Sequence, residues 1–226
     1  MLKNLINLIY PETCFGCNRL ILKNETKICT KCFYELPQTF HHRIKENDVT
    51  QKFYGLVPIE FGASFLYFKS DGIVKQLIHN LKYRGKEEIG TLLGNIYASD
   101  LNKLIQEHNV SEIIPVPLHP KRLRKRGYNQ VTTFCEALSN QLDVPLNDSL
   151  LVRNLYTETQ THKDKEARQY KTNLFEAKFT EQDFGKHFLL VDDVITTGAT
   201  LEKCAKALLE IPNAKVSIVT IAFTQS

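Results

Sequence analysis

The sequence predicts an α/β fold in which a mostly parallel β-sheet is covered by helices on both faces. From Pro58 onward, short apolar segments alternate with longer segments whose apolar residues recur at helical spacing. The apolar segment Phe188–Val191 shows no polar alternation, as is typical of a parallel strand buried on both sides. Together these observations indicate helices on both sides of a largely parallel sheet.

A cluster of four cysteines within residues 14–32 predicts a separate small unit ahead of this sheet. We expect a cysteine-rich subdomain over residues 1–40, a polar linker over residues 41–57 and the α/β domain over residues 58–226. The sequence contains no internal repeat.

The first half of the α/β domain begins with Ala63–Phe68, whose aromatic content favours a strand. Apolar residues at helical spacing then predict helices over Ile73–Tyr83 and from Glu87 to Ile105. A short buried strand follows at Glu112–Val116, where prolines end it, and Gln130–Leu142 has helical spacing again.

The second half contains one candidate strand at Leu150–Arg153 and the apolar strand Phe188–Val191. Ala199–Ile211 has helical spacing, and Lys215–Phe223 is a closing strand. The alternation of strand and helix therefore extends to the end of the sequence.

Composition excludes few classes of function. The 226 residues are 42% hydrophobic and carry a net charge of +4, which permits an acidic ligand or nucleic acid without requiring one. No apolar run is long enough to cross a bilayer, and the first residues do not form a convincing secretory signal. We therefore expect a cytoplasmic protein without a transmembrane segment.

The segment Phe188–Thr200 combines a buried strand, the adjacent acids Asp192 and Asp193, and a glycine-containing loop before a helix. In open α/β sheets, ligands bind beyond the carboxyl ends of the strands, where these carboxylates can accept hydrogen bonds from ribose hydroxyls. The start of the helix favours a phosphate, and Gly198 allows close approach of the backbone. We predict that the phosphate is bound by Thr196, Thr197, Gly198, Ala199 and Thr200, and that Val194 and Ile195 also belong to the ligand-binding segment. The alternative is a capped strand–turn–helix without a ligand.

A basic segment follows the strand at Glu112–Val116. Five cations within residues 121–126 are suited to a polyphosphate, because arginine binds phosphate oxygens through two parallel hydrogen bonds. His119 is either an acid or a helix-capping residue. The alternatives for the whole segment are a solvated basic loop or a nucleic-acid-binding patch. The predicted pyrophosphate contacts are Pro115, Val116, Pro117, His119, Arg122, Arg126, Gly127, Asn129 and Gln130.

The cysteines occur as two pairs, Cys14-x-x-Cys17 and Cys29-x-x-Cys32. Four thiolates at this spacing are typical of a structural Zn²⁺ site, which has no open position for catalysis. The alternatives are two redox disulfides or unligated thiols. Cys135 and Cys204 are interpreted as small buried apolar residues.

The thirteen residues Phe188–Thr200 resemble the signature of type I phosphoribosyltransferases that binds phosphoribosyl pyrophosphate (PRPP). With the string PVPLHPKRLRKRGYNQ, the segment Lys82-Tyr83-Arg84-Gly85 and the cysteine pairs, the sequence resembles the ComF (ComFC) family over nearly its whole length. That family consists of PRPP-loop proteins linked to bacterial transformation and DNA uptake.

The resemblance implies a type I phosphoribosyltransferase-like fold and a ligand-facing role for Lys82 and Arg84, which otherwise only complement a helix C-terminus. The sequence departs from the family pattern at Lys163 and Lys171, where a leucine and an asparagine are expected beside Gln160, Thr161 and Arg168.

Two functions are compatible with these features. The first is a Mg²⁺-dependent phosphoribosyltransferase in which Asp192 and Asp193 act as catalytic residues and an unidentified acceptor takes the phosphoribosyl group. The second is a non-catalytic adaptor that binds a nucleotide and single-stranded DNA and contacts the DNA-uptake helicase or translocase. Cations interleaved with Tyr83 and Tyr128 suit single-stranded DNA.

Overall fold

The computed structural model describes residues 11–22, 24–154 and 174–225. In chain order the helices are α1 (Thr30–Tyr34), α2 (Asp48–Gln51), α3 (Ile73–Tyr83), α4 (Glu88–Glu107), α5 (Pro120–Arg126), α6 (Thr132–Leu142) and α7 (Ala199–Leu208). The strands are β1 (Gly62–Phe68), β2 (Glu112–Pro115), β3 (Leu151–Arg153), β4 (Phe175–Ala177), β5 (His187–Ile195) and β6 (Lys215–Thr224). Single 3₁₀ turns occur at His41–Arg43 and Glu181–Asp183.

Four strands form one parallel sheet in the order β1-β6-β5-β2, and β3 and β4 form a separate antiparallel hairpin. The central strand β5 pairs with β6 along nearly its whole length and with β2 over its first half. The parallel sheet flanked by helices confirms the predicted fold class. The carboxyl end of β5 therefore lies in the middle of the sheet edge.

Residues of β5 alternate between two hydrophobic cores, one on each face of the sheet. Leu189 and Val191 face the first core, which contains the inward sides of α3, α4 and α6. Phe188 and Leu190 face the second core, which contains α7, α2 and the β3–β4 hairpin. Burial on both faces is the physical reason why this segment of the sequence is continuously apolar.

The cysteine segment packs against the first core. Cys14, Phe15 and Ile28 belong to that core, and the Asn80 side chain on α3 donates a hydrogen bond of 3.0 Å to the Phe15 carbonyl. Residues 37–39 then run along the outer edge of β1, where the Tyr67 N–H donates to the Pro37 carbonyl at 2.8 Å. This pairing covers the edge of the sheet and limits its exposure to other chains.

The basic segment after β2, to which the sequence assigned no regular element, is the helix α5. The His119 side chain caps it, because its Nδ1 accepts a hydrogen bond from the Lys121 N–H at 3.1 Å. Pro120 occupies the first turn, and Gly127, with φ of 83°, ends the helix in the left-handed conformation. Strand β5 is also longer than predicted and includes both Asp192 and Asp193.

Among the described helices, none combines the length and the hydrophobicity needed to span a bilayer.

Helices α4 and α6 pack so closely that Gly94 leaves no room for a methyl group. A Cβ at Gly94 would lie 2.6 Å from the Ala137 Cβ and 2.8 Å from the Phe134 carbonyl oxygen. We expect Gly94→Ala to lower the free energy of unfolding, because overpacking costs about 1–3 kcal/mol and a contact with backbone cannot be relieved by a side-chain rotation. This cost opposes a gain of about 1 kcal/mol in helix propensity.

Urea denaturation measures the free energy of unfolding of Gly94→Ala and of the wild type. Thr91→Ala, on the exposed side of α4, is the matched control. The control gains helix propensity without approaching α6 and should be as stable as the wild type or slightly more stable. A Gly94→Ala protein as stable as the control would contradict the close packing.

Candidate functional site

A cavity of about 470 Å³ opens at the carboxyl ends of the parallel strands. Its lining includes Phe68 and Thr224, which end β1 and β6, and Pro117, which follows β2. Asp192 and Asp193 of β5 lie between them. This is the edge at which open α/β sheets bind their ligands.

The cavity brings together residues that the sequence predicted from three separate segments. Lining residues among the predicted set are Lys82, Val116, Pro117, Arg122, Arg126, Gln130, Asp192, Asp193, Val194, Thr196 and Thr200. The acidic pair, the threonines and two arginines therefore share one space.

The two carboxylates of the acidic pair have different surroundings. Asp193 is buried, and its Oδ2 lies 2.9 Å from Lys82 Nζ in an ion pair whose angles fall outside the range of a hydrogen bond. Asp192 is half-buried and accepts a hydrogen bond of 2.8 Å from the Asp193 N–H. Burial, followed by the charge of Asp193, raises the pKa of Asp192 to about 7. Near neutral pH the pair therefore holds negative charge that a cation or hydroxyl donors can stabilise.

The loop after β5 presents hydroxyl groups at the start of α7. Thr196, Thr197 and Thr200 are exposed, and Gly198 precedes the helix with φ of 83°, which favours glycine. A Cβ at Gly198 would lie 3.3 Å from the ring of Phe53. The free backbone N–H groups of this helix start suit an anion. Ile195 instead packs into the second core.

Helix α5 directs two arginines into the cavity from the β2 side. Arg122 and Arg126 are one turn apart on the same side of the helix. Arg126 Nη1 donates to Gln130 Oε1 at 2.5 Å, and its guanidinium lies 5.1 Å from the centre of the Tyr83 ring. Arg126 is thus held in place by neighbours, whereas the Arg122 guanidinium pairs with no carboxylate of the described residues.

Several predicted contacts lie away from the cavity lining. His119 caps α5, as the capping alternative expected, and desolvation followed by nearby cations lowers its pKa. Gly127 ends α5, and the Asn129 side chain donates to the Val116 carbonyl at 3.0 Å, which fixes the chain after the helix. Pro115 lies within β2.

Arg84 also lies outside this cavity. It borders a second groove beside the cysteine segment, together with Thr13, Phe15 and Lys86. Arg84 follows the last residue of α3, and positions two residues apart around a helix end point in different directions, so Lys82 lines the cavity and Arg84 does not. The ligand-facing role of Lys82 stays a prediction, and Arg84 lies where it does not reach this cavity.

Other cavity residues were not predicted from the sequence. Lys75 and His79 lie on α3 four residues apart, and Lys82 continues the same face, so helical periodicity alone was a usable signal. Arg153 reaches the cavity from the end of β3, and no local motif marks it. The segment 160–171, where the sequence departs from the family pattern, lies outside the described residues.

The four cysteines of the N-terminal segment converge on one point. Their Sγ atoms all lie within 4.8 Å of one another, and Cys17 Sγ is 3.8 Å from Cys29 Sγ. A tetrahedron of about 2.3 Å Zn–S bonds requires sulfur separations of about 3.8 Å, so the spacing fits a four-thiolate zinc site. The Cys29 N–H donates to Cys14 Sγ at 3.2 Å, which stabilises a thiolate. All four cysteines are free, so the two-disulfide alternative is not what the structure forms.

Comparison with known proteins finds a domain family that matches part of the chain around the cavity. A family model described as Phosphoribosyl transferase domain matches residues 132–226. Among solved structures, glutamine PRPP amidotransferase from B. subtilis is 18% identical, with a TM-score of 0.40 over 62% of this chain and 30% of that one. Hypoxanthine phosphoribosyltransferase from Staphylococcus aureus is 17% identical, with a TM-score of 0.34 over 64% of this chain and 69% of that one. Since both scores are below 0.5, the fold assignment rests on the family model and the strand order.

Curated relatives cover more of the chain. Competence protein ComFC of Bacillus subtilis (strain 168) is 28% identical over 201 residues, which are 88% of this chain and 78% of that protein. Competence protein F of Haemophilus influenzae is 33% identical over 60% of this chain and 61% of its own length. DNA utilization protein YhgH of Escherichia coli (strain K12) is 32% identical, and 63% of each chain is aligned. The chain thus spans less than two thirds of the latter two relatives. The chain is thus similar to competence proteins of the ComF type over most of its length, its residues 132–226 match a phosphoribosyl transferase domain, and it carries an N-terminal cluster of four cysteines.

Proposed function

We propose that the cavity binds PRPP with Mg²⁺ and that the protein transfers the phosphoribosyl group to an acceptor during bacterial DNA uptake. The observation that carries this proposal is the convergence of an acidic pair, a threonine-lined helix start and two arginines on one cavity. PRPP has a matching group for each: ribose hydroxyls, a 5-phosphate and a pyrophosphate. The link to DNA uptake rests on the relatives named competence proteins.

Each part of the cavity has a distinct role in this proposal. Asp192 and Asp193 accept hydrogen bonds from the ribose hydroxyls and stabilise positive charge that develops on the sugar. Residues 196–200 hold the 5-phosphate at the start of α7, and Arg122 and Arg126 hold the pyrophosphate. The carboxylates fit Mg²⁺, which prefers oxygen ligands and, when bound, neutralises charge on the pyrophosphate. Rate enhancement then comes from positioning and electrostatics.

The acidic pair provides the direct test. We expect the isosteric double variant Asp192→Asn, Asp193→Asn to bind PRPP with Mg²⁺ about 100-fold more weakly or worse, because hydrogen bonds to charged groups contribute about 1.5–3 kcal/mol each. Isothermal titration calorimetry measures the affinity, and release of pyrophosphate with a panel of bases measures turnover. Asp148→Asn, at an exposed loop position, is the matched control and should bind as the wild type does. Unchanged affinity in the double variant would rule out the assignment.

We further propose that the four cysteines hold a structural zinc ion. Metal analysis of protein purified without added metal should then find about one zinc per chain. Cys29→Ala should lose the metal and unfold at a lower temperature. Metal binding contributes on the order of 10 kcal/mol to stability, and the cysteine segment belongs to the first core. Cys204→Ala, at a buried cysteine away from the cluster, should keep its zinc. A folded, reduced protein without metal would refute the proposal.

Free thiols as ligands are expected in a reducing compartment, which supports the cytoplasm as the proposed location.

A second candidate function is binding of single-stranded DNA, with a helicase or translocase as partner. The outer side of α5 favours it, since Lys121, Arg124 and Lys125 are exposed there without a carboxylate partner among the described residues. Tyr83 is 59% exposed, so its ring is accessible to a base beside the Arg126 guanidinium. Tyr128 is less suited, because it is half-buried and its hydroxyl donates to the Leu81 carbonyl.

Replacing Lys121, Arg124 and Lys125 by Gln should reduce the dependence of DNA affinity on salt. Three lost phosphate contacts lower the slope of log K against log salt by roughly 2 for single strands. A variant with Lys103, Lys178 and Lys203 replaced by Gln has the same net charge and should keep the wild-type slope, since these exposed lysines lie on other elements. Equal slopes in both variants would show that DNA is not held at α5.

A further inference from the structure

Arg153 enters the cavity from an element that carries none of the predicted contacts. It is the last residue of β3 and pairs in register with Phe175 of β4. Its guanidinium lies 5.2 Å from the centre of the Phe175 ring, and Phe175 is only 2% exposed. The guanidinium is thus supported by a buried ring where Arg153 lines the cavity.

The hairpin that carries Arg153 is anchored on α7. Leu151, Phe175 and Ala177 are buried in the second core beside Cys204 and Leu208 of that helix. The same helix begins with the threonine-lined loop. A rigid contact therefore fixes the position of Arg153 relative to the predicted phosphate site.

The positive charge of Arg153 is not balanced by any carboxylate in the described part of the chain. Its Nε is buried and has no hydrogen-bond partner there, and its guanidinium forms no ion pair with a described carboxylate. Burial and then the charge of Arg122 lower the pKa of Arg153. Two guanidinium groups of the same cavity therefore repel each other.

Two other partly buried cations among the described residues, Lys82 and Lys186, have carboxylate partners. Lys186 lies 2.5 Å from Glu112 Oε1 and 2.8 Å from Asp183 Oδ1, and Lys82 lies 2.9 Å from Asp193 Oδ2. Removal of a cation from water is costly unless a counter-charge or hydrogen bonds compensate for it. The contrast indicates that Arg153 is arranged for an anion supplied by a ligand, and the exposed Arg122 lines the same cavity.

We propose that Arg153, together with Arg122, binds the pyrophosphate group of PRPP and stabilises it as the leaving group. This inference rests on the proposed function. A guanidinium matches phosphate oxygens bidentately, and two of them suit a diphosphate better than a single phosphate. The location of Arg122 agrees with the predicted pyrophosphate contacts. Arg122 lies on α5, which follows β2, and β2 lies on the opposite side of β5 from β6 and β1.

In the transfer step, the acceptor nucleophile forms a bond to C1 of the ribose as the C1–O bond to pyrophosphate breaks. The bonding electron pair leaves on the pyrophosphate oxygen, and the proton of the acceptor passes to water. Arg122 and Arg153 meet the charge that accumulates on the departing oxygen, which is electrostatic stabilisation of the transition state.

The test compares ligands that differ in the pyrophosphate. Affinities of Arg153→Gln for PRPP, pyrophosphate and ribose 5-phosphate are measured by calorimetry in the presence of Mg²⁺. We expect about 10- to 100-fold weaker binding of PRPP and pyrophosphate, from the loss of a charge-assisted contact, and ribose 5-phosphate affinity within about twofold of the wild type. Arg153→Lys should recover only part of the loss, because an ammonium binds phosphate as a point charge.

Arg124→Gln is the matched control, since it removes an exposed arginine that does not line the cavity. It should leave all three affinities unchanged. Thermal unfolding of each variant separates a packing role on Phe175 from ligand binding.

Three results would overturn the proposal. The first is an Arg153→Gln variant whose affinity for PRPP is unchanged. The second is a variant that loses as much affinity for ribose 5-phosphate as for PRPP, which would place Arg153 at the 5-phosphate or give it a purely structural role. The third is a wild-type protein that binds ribose 5-phosphate but neither PRPP nor pyrophosphate. If the wild type binds PRPP and Arg153→Gln binds it with the same affinity, only the role of Arg153 is contradicted. A wild-type protein that binds none of the three ligands refutes the proposed function and, with it, this inference.

Discussion

Two adjacent carboxylates at the end of a strand buried on both faces need counter-charges, and the architecture around the cavity supplies one to Asp193 but not fully to Asp192. Asp193 is compensated within the chain by Lys82, which approaches to 2.9 Å from α3. Asp192 is compensated only in part, and its pKa is raised accordingly. A carboxylate pair that stays partly unsatisfied costs stability, and such costs cluster where a protein binds its ligands. The acidic pair thus links the packing of the sheet to the chemistry of the site.

The ion pair also connects the cysteine segment to the cavity. The Phe15 carbonyl, between the first two cysteines, accepts a hydrogen bond from Asn80, which lies two residues before Lys82 on α3. The free energy of metal binding at the cysteines, about 10 kcal/mol or more in comparable sites, would therefore help to hold the helix that supplies the counter-charge. In this arrangement the cluster acts through the position of a helix and not through direct contact with the ligand.

The cavity lining carries an excess of positive charge, which favours an anionic ligand. Among the described lining residues, Lys75, Lys82, Arg122, Arg126 and Arg153 face only two carboxylates. A compound with several phosphate groups balances this excess, whereas a neutral ligand does not. The same excess, continued on the outer side of α5, makes nucleotide binding and single-stranded DNA binding compatible properties of one protein.

The sequence by itself determined the fold class, the acidic pair with its threonine-lined loop, and the two cysteine pairs. Each of these depends on residues that are close in sequence, because a strand followed by a turn and a helix fixes the local geometry of Asp192–Thr200, and two Cys-x-x-Cys pairs fix the ligand spacing. Tertiary structure alone decided that Lys82 and not Arg84 faces the cavity, that His119 caps a helix, and that Arg153 joins Arg122. These placements depend on how α3, α5 and the hairpin pack around the sheet, and packing between elements distant in sequence leaves no pattern in any one segment.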